Sequence, residues 1–405
     1  MIKTRYQRFL AISAVVIFFT NLSIYLFVSE LLPIPTFYWV IAFCVAAIPL
    51  YLSRSFFRLA MQAIMVRWCY GFLMITGLWL IFQPSQSSEV VWQEFFTRLW
   101  SVVFMLLMLS VFSTEDAQVW ARRSILFVVL LVIGINVYEL FNPLTFSMVL
   151  GRSAAFYRNP NMCGMALIIG MIFSIGVLPQ RYRIIYALLV ALGVFLTFSR
   201  AAILGWSVTM LALLISQEIR LQRSWLMGLT GTSLFIFALI PWWDDLLYQL
   251  NSAGALNSNV VARLEWFNNP TFSDPSAAAR QEVLEVAWQK LADSPLLGNG
   301  VGAAQNLLRV ENDIEISSHN QYLNMMVDHG VIGVLILPLM ILALTWSARG
   351  EARRISRVFA AYILTLGFFT HNVFDSRFIL MSFSLLAAMV VAGMKDQTDQ
   401  QDIAS

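Results

Sequence analysis

Long apolar runs recur along the whole chain, and they constrain the fold more than any other feature. Ordinary globular proteins contain about 25% charged residues, whereas this chain is 59% hydrophobic and 12% charged. Runs that approach the roughly 20 residues needed to cross a bilayer number twelve, at 9–28, 37–52, 68–82, 99–112, 125–141, 162–178, 184–198, 201–215, 225–243, 331–346, 358–369 and 378–394. These values exclude a soluble fold and predict an integral membrane protein.

The runs predict an all-α polytopic membrane protein with about twelve transmembrane helices. Residues 1–243 hold the first nine spans, residues 244–330 form one long loop, residues 331–394 hold three more spans, and residues 395–405 form a polar tail. The first run follows a basic segment, as in a signal peptide. Its length and the lack of a small-residue cleavage site favour a retained span instead.

Lysines and arginines indicate the orientation, because they concentrate on the cytoplasmic side of a membrane protein. With the N-terminus inside, 17 of the 26 basic residues lie in cytoplasmic segments, and five lie in short outer segments. The other four lie in the long loop, which the rule discounts. We therefore expect both termini in the cytoplasm and the long loop on the outer face.

The five basic residues of the short outer segments oppose this bias; they are Arg98, Arg152, Arg158, Arg200 and Arg377. Interfacial snorkelling is one explanation for each. Arg200 lies between two runs that are barely long enough to span. An arginine at mid-bilayer costs about 2.5–3.5 kcal/mol, so burial there requires a partner, and an anion is the natural one.

The long loop contains one readable helix. Asp274 followed by Pro275 is a favourable helix start, and the sequence then predicts a helix over residues 275–293. Helical periodicity places one arginine on the apolar face of this helix, with Arg280, Leu284, Ala287, Trp288 and Leu291 in line. Two arrangements fit this pattern. Either the aliphatic part of the Arg280 side chain packs on Leu284, or its guanidinium points into a cavity of the membrane domain.

Other residue types exclude several classes of function. The net charge of +3 is too small to indicate nucleic-acid binding. The three cysteines show no CxxC spacing, and we assign them to packing. No His, Asp, Glu or Cys cluster has metal-ligand spacing. The glycines at 298, 300 and 302 follow a helix rather than a strand, so we interpret them as a turn instead of a phosphate loop.

Histidine is scarce, with His319, His329 and His371 as the only three. All three fall on the predicted outer face. Histidines at an interface are mostly structural, and we expect that role for two of the three.

Four segments on the predicted outer face together resemble the O-antigen ligase/polymerase superfamily of membrane glycosyltransferases. The segments are Thr197 to Gly205 (TFSRAAILG), Arg280 with its helix ending in Asp293 to Gly302 (DSPLLGNGVG), His319-Asn320 followed by Tyr322-Leu323, and Asn159-Pro160-Asn161 after Gly151-Arg152. The resemblance covers about residues 150–345. Where the family commonly has Glu before the Gly-x-x-Gly that ends the loop, this chain has Asp328-His329.

The resemblance implies a GT-C-type enzyme of the bacterial inner membrane. It implies that the enzyme uses a polyprenyl (undecaprenyl) diphosphate-linked glycan at the periplasmic face, and that the ligase branch transfers this glycan to lipid A-core. By the same resemblance, Arg200 and Arg280 match diphosphate-binding arginines, and His319 matches the proposed catalytic histidine. Arg152, Arg158, Ser199 and Asn320 are further candidates for substrate binding.

The chemistry of the reaction fits these residue types. A diphosphate leaving group needs no general acid, which removes one of the two carboxylates of an inverting hydrolase. Guanidinium groups supply permanent, bidentate positive charge to the departing oxygens. The acceptor hydroxyl must lose a proton, and a neutral imidazole is suited to take it. We therefore predict a metal-independent inverting transfer without a cofactor.

Two alternatives remain open. An O-antigen or exopolysaccharide polymerase, or a protein O-oligosaccharyltransferase, shares the donor and differs in the acceptor. A transporter of lipid-linked sugar requires ionisable residues within its spans and broken helices in paired positions. The predicted spans are nearly free of charge, which favours an enzyme.

Overall fold

The computed structural model describes residues 2–81, 88–220, 275–305, 307–310, 314–316 and 318–404, together with Asp245, Tyr248, Gln249, Ser252 and Gly254. The described chain forms two compact units. The predicted ninth span, at residues 225–243, lies outside the described residues. The count of about twelve crossings therefore stays a prediction.

Unit 1 comprises residues 1–125 and 275–405. Helix α7 (Ser88–Val111) packs against the last helix, α16 (Arg377–Ala404), and the Ser384 hydroxyl donates a hydrogen bond to the Met105 carbonyl at 2.8 Å. The helices of this unit are α1 (Ile2–Ala14), α2 (Leu22–Val28), α3 (Thr36–Ala46), α4 (Ile48–Tyr51), α5 (Arg54–Gln62), α6 (Ile64–Ile81), α7 (Ser88–Val111), the start of α8 (Glu115–Phe141), α12 (Pro275–Asp293), α13 (Gln321–His329), α14 (Ile336–Thr345), α15 (Gly350–Leu366) and α16 (Arg377–Ala404).

Unit 2 comprises residues 126–274. Its described helices are the rest of α8, then α9 (Pro160–Ser174), α10 (Gln180–Leu196) and α11 (Arg200–Ile215). Helix α9 packs against both α10 and α11 and is buried along nearly its whole length. Its sequence is apolar on every side, as expected for a helix enclosed by others.

Six helices of the described chain have the length and apolar composition to cross a membrane. The bent pair Thr4–Phe19 and Leu22–Val28 makes a seventh if it is one span. Two of the predicted spans are the shorter apolar helices Thr36–Ala46 and Arg200–Ile215. These findings confirm a multi-pass membrane protein.

The first predicted span is bent by 49°. A π-helical turn, Val15–Phe19, follows α1, and Asn21 then adopts a left-handed backbone with φ of 61° before α2 begins. π-helical turns are a common cause of sharp bends, because they interrupt the regular hydrogen-bond ladder.

Helix α12 occupies Pro275–Asp293, the range that the Asp-Pro start predicts. Its buried side chains are Val283, Ala287 and Leu291, which pack on Leu323 and Val327 of α13. The predicted apolar face is therefore right for Ala287 and Leu291. It is wrong for Trp288, which is 52% exposed because the buried stripe is centred on Val283 instead.

The tenth predicted span begins ten residues earlier than residue 331, with α13 at Gln321. Gly330, with φ of 69°, ends α13, and a 3₁₀ turn, Gly330–Leu335, leads into α14. Hydropathy does not reveal this helix, because it contains Asn324, Asp328 and His329, all of which are buried.

One short antiparallel hairpin departs from the predicted all-α fold. Strand β1 (Leu308–Val310) pairs with β2 (Ile314–Ile316), with Arg309 opposite Glu315. Each strand alternates apolar and charged residues, the period of a strand with one covered face. Three residues are too few for that period to be distinguished from a loop in the sequence.

Candidate functional site

Three of the sequence motifs begin helices. The Ser199 side chain accepts a hydrogen bond from Ala202 N at 3.4 Å and caps α11, and Asn159 caps α9 by accepting from Asn161 N at 2.9 Å. Asn320 caps α13 by accepting from Leu323 N at 3.1 Å. A capping side chain satisfies backbone N–H groups that the first turn leaves open. Ser199 and Asn320 thus have a structural role, and their substrate contacts stay predictions.

Arg200 is the first residue of α11 and follows a tight turn. The turn is closed by Phe198, whose backbone is left-handed with φ of 47°. Helix N-termini carry partial positive charge, so an arginine there adds to a field that attracts anions. This position is consistent with the predicted diphosphate contact of Arg200.

Arg152, also in unit 2, holds the turn before Arg200 by hydrogen bonds. Its Nε donates to the Thr197 carbonyl at 2.8 Å, and a terminal nitrogen donates to the Asn161 side chain at 2.9 Å. Arg152 is 8% exposed. It therefore ties the start of α9 to the turn that leads into Arg200, which is a positioning role.

Glu139, at the end of α8, organises the loop that carries Arg152 and Arg158. One carboxylate oxygen accepts from Phe146 N at 3.1 Å and Ser147 N at 2.6 Å. The other accepts from Ala154 N and Ala155 N, each at 2.9 Å. Glu139 is not among the residues that the sequence motifs indicate, although an acidic side chain at the predicted outer end of a span is the available signal.

Left-handed backbone conformations are concentrated in and beside the four segments that carry the family resemblance, which we call the motif segments. Of the eight described non-glycine residues with positive φ, four lie there, namely Ala155, Arg158, Phe198 and His319. Such conformations cost about 1–3 kcal/mol each and persist where surrounding structure holds them, often at functional sites. The motif segments are thus held in unusual backbone conformations in both units.

His319 lies immediately before the cap of α13, with φ of 50°. Its ring packs edge-on against His371, with centroids 5.2 Å apart. His371 lies in the loop between α15 and α16. Burial, and secondly the nearby His319, lower the pKa of His371 to about 4. At neutral pH His371 is therefore uncharged and does not oppose a proton on His319.

Arg280 lies in the first half of α12, three residues before Val283. Val283, Ala287 and Leu291 hold this helix on α13, the helix that follows His319. The described geometry therefore packs the helix that carries Arg280 against the helix that follows His319.

A buried polar network, absent from the predicted site, joins α7 and α13 in unit 1. The Arg98 guanidinium donates to the carboxylates of Glu94, at 2.8 Å, and Asp328. It also contacts Nε2 of His329 at 2.6 Å. Arg98 is one of the five arginines predicted on the outer face, and its partners explain why it is tolerated inside the protein.

The glycine-rich turn that follows α12, with glycines at 298, 300 and 302, packs against the same network. Asp328 accepts hydrogen bonds from Gly302 N at 3.3 Å and Ala304 N at 2.9 Å. The backbone at Gly298 and Gly330 approaches so closely that a Cβ atom on either would overlap the other segment. The turn interpretation of these glycines is therefore confirmed, and their role is close backbone packing on α13.

Within the described part of the chain, no group of three His, Cys, Asp or Glu side chains is arranged to hold a metal ion. Asp328 and His329, which stand where the family commonly has Glu, lie just before the tenth predicted span. They form the buried contact between α13 and α7.

Residues 185–338 match the family model described as O-antigen ligase. A comparison with curated proteins finds no match. The matched range begins in α10, ends in α14 and includes Arg200, Arg280 and His319, whereas Arg152 and Arg158 precede it. The family implies a glycosyltransferase-like enzyme with O-antigen ligase/polymerase-type activity. Over residues 185–338, which are less than half of the chain, the family match confirms the resemblance to the O-antigen ligase family.

Proposed function

We propose that this protein is an O-antigen ligase. It transfers a glycan from polyprenyl (undecaprenyl) diphosphate to a sugar hydroxyl of lipid A-core at the periplasmic face of the inner membrane. Both termini are cytoplasmic, and the fold is of the GT-C type. The observation that carries this proposal is that the family match includes Arg200, Arg280 and His319 together.

Arg200 and Arg280 bind the diphosphate of the donor. The anomeric carbon–oxygen bond breaks and leaves its electron pair on the diphosphate, which therefore gains negative charge in the transition state. Guanidinium groups stabilise that charge without any proton transfer. The position of Arg200 at the N-terminus of α11 supports this role, because the helix dipole adds positive charge there.

His319 accepts the proton of the acceptor hydroxyl as the new carbon–oxygen bond forms. A direct attack from the face opposite the diphosphate inverts the anomeric configuration. The His319 ring packs against His371, which is uncharged at neutral pH because burial lowers its pKa. No step of this scheme calls for a metal ion or a cofactor.

Separate measurements of donor binding and transfer test these roles. We expect Arg280→Ala and Arg200→Ala to weaken binding of the polyprenyl diphosphate donor and to abolish transfer. His319→Ala should eliminate turnover and retain donor binding, since a base acts on the acceptor. The matched control is Arg353→Ala, an exposed arginine at the start of α15, which should leave both quantities unchanged.

Two results would contradict these assignments. Full transfer activity in Arg280→Ala would show that Arg280 does not bind the diphosphate of the donor. A loss in His319→Ala that is confined to donor affinity would assign His319 to donor binding instead. Assay of each variant with lipid A-core and with a second donor molecule distinguishes a ligase from a polymerase.

A further inference from the structure

Unit 1 contains an aromatic cavity of about 340 Å³ beside α7. One face of α7 forms its long wall, with residues at helical spacing: Gln93, Phe96, Thr97, Trp100, Ser101 and Phe104. At 1.5 Å per residue these positions extend about 16 Å along the helix. The opposite wall comes from Phe37 and Val40 of α3. The cavity is therefore long, narrow and mostly apolar.

The apolar walls reach the outside of the helical bundle. Phe37 and Phe96 are 40% and 49% exposed, and the Phe37 ring packs edge-on against Trp100 with centroids 4.5 Å apart. Helices α3 and α7 are both apolar, so a membrane would surround this opening with lipid. A hydrocarbon chain is the ligand that such walls favour.

Two charged residues, Asp375 and Arg377, line the cavity as well. Among the described residues neither side chain makes a hydrogen bond, although the two attract each other electrostatically. Arg377 is the first residue of α16, where the helix dipole already favours an anion. The Arg377 guanidinium adds positive charge at the same place. The cavity therefore favours a ligand with negative charge, such as a phosphate group.

The charged lining is connected to the proposed catalytic histidine. The Asn372 carbonyl accepts hydrogen bonds from Asp375 N at 3.3 Å and Ser376 N at 3.0 Å, which folds this loop into a turn. The residue before that turn is His371, whose ring packs on His319. A lipid headgroup at Arg377 would thus lie on the loop that contacts the residue proposed to act on the acceptor.

We propose that this cavity binds the membrane anchor of the acceptor, an acyl-chain lipid whose phosphorylated headgroup lies at Arg377. The identification of that lipid as the acceptor rests on the proposed function. The acyl chain lies along the α7 face, and the headgroup phosphate contacts the guanidinium of Arg377. The arrangement holds the sugar part of the acceptor on the side of His319.

Binding of purified lipid A-core, measured by titration without any donor, tests the proposal. Thr97→Trp fills the cavity and should weaken binding by about tenfold or more, equivalent to about 1.4 kcal/mol. The matched control is Val103→Trp on the same helix, which places the same side chain away from the cavity lining and should bind normally. Binding of polyprenyl diphosphate should be unchanged in both.

The headgroup is tested with a second variant and a second ligand. Arg377→Gln should lower affinity for phosphorylated lipid A-core and leave affinity for the enzymatically dephosphorylated form unchanged. This comparison stands even if Thr97→Trp fails to fold, because Arg377→Gln adds no volume.

Three results would overturn the proposal. They are unchanged lipid A-core binding in folded Thr97→Trp, a loss of polyprenyl diphosphate binding instead, and an equal effect of Arg377→Gln on both forms of the lipid. Because these titrations need no turnover, their outcome is independent of the proposed transfer reaction. Normal binding without transfer would contradict the proposed function and leave the cavity assignment in place.

Discussion

The Arg98 guanidinium donates a hydrogen bond to the Asp328 carboxylate, and this buried ion pair joins α7 to α13. The two side chains are 2% and 3% exposed. The carboxylate of Glu94, one turn before Arg98, accepts one hydrogen bond from Arg98 and another, at 3.0 Å, from the Gln305 side chain. The helix that follows His319 is therefore fixed to the membrane helices by charge as well as by packing.

Loss of Arg98 should destabilise the fold. Breaking a buried pair leaves an uncompensated charge and costs about 3–5 kcal/mol, so Arg98→Met should markedly lower the thermal unfolding temperature in detergent. The double variant Arg98→Met/Asp328→Leu removes both charges and should lose less stability than the sum of the two single variants. Additive losses would show that the two side chains are not coupled.

The pair Arg8–Asp116 provides the comparison for this experiment. Its nitrogen–oxygen distance is 2.7 Å, and its side chains are 37% and 32% exposed. Because water screens an exposed pair, Arg8→Met should have a much smaller effect than Arg98→Met. Equal effects would contradict the importance of burial.

Gly330→Ala should disrupt the contact between the glycine-rich turn and α13. The Gly330 backbone has φ of 69°, and an added Cβ would overlap the Leu296 carbonyl. The backbone strain alone costs about 1–3 kcal/mol, and we expect loss of transfer together with lower thermal stability. Gly77→Ala, in α6 with nothing within 4 Å of its added Cβ, should be neutral or slightly stabilising. A stable, active Gly330→Ala would refute the close packing.

Glu139→Gln should loosen the loop over residues 142–159. Four backbone N–H groups donate to the carboxylate, and an amide offers only one oxygen to them. Each buried donor left without a partner costs about 1–3 kcal/mol. Hydrogen exchange of Ser147 and Ala155 should accelerate in this variant and not in Glu89→Gln, whose carboxylate is exposed. Unchanged protection would show that Glu139 does not organise the loop.

Asp375 should make stability depend on pH. Its side chain is exposed to the cavity, but the surrounding protein atoms desolvate the carboxylate. This desolvation, with Glu94 nearby, raises the pKa of Asp375 to about 7 against the opposing effects of Arg98 and Arg377. The folded state keeps the proton at pH values where the unfolded state has lost it, so this residue costs stability as pH rises from about 4 to 7. Asp375→Asn should therefore exceed the wild type in unfolding temperature at pH 8, with a smaller difference at pH 5. A difference that is constant with pH would contradict the raised pKa.

The sequence predicts the apolar helices of the described chain and the loop helix, because apolar length and a capped helix start are local signals, whereas the count of about twelve spans stays a prediction. It also indicates that Ser199, Asn159 and Asn320 belong to the motif segments. Their side chains are helix caps, a role that is typical of Ser or Asn placed before an apolar run. The Arg98–Asp328 contact could not be predicted, since 230 residues separate its partners and each has other plausible surroundings. Periodicity alone does not distinguish neighbouring stripes of one helix, so the predicted apolar face wrongly includes the exposed Trp288.

Reconstitution of the purified protein tests the central claim most directly. The protein in liposomes is given polyprenyl diphosphate-linked glycan and lipid A-core, with EDTA present, and the products are separated by size. We predict that glycan is attached to lipid A-core in EDTA, and that His319→Ala forms no product although it binds the donor. Product formed only from two donor molecules, or transfer that EDTA blocks and a divalent ion restores, would contradict the account.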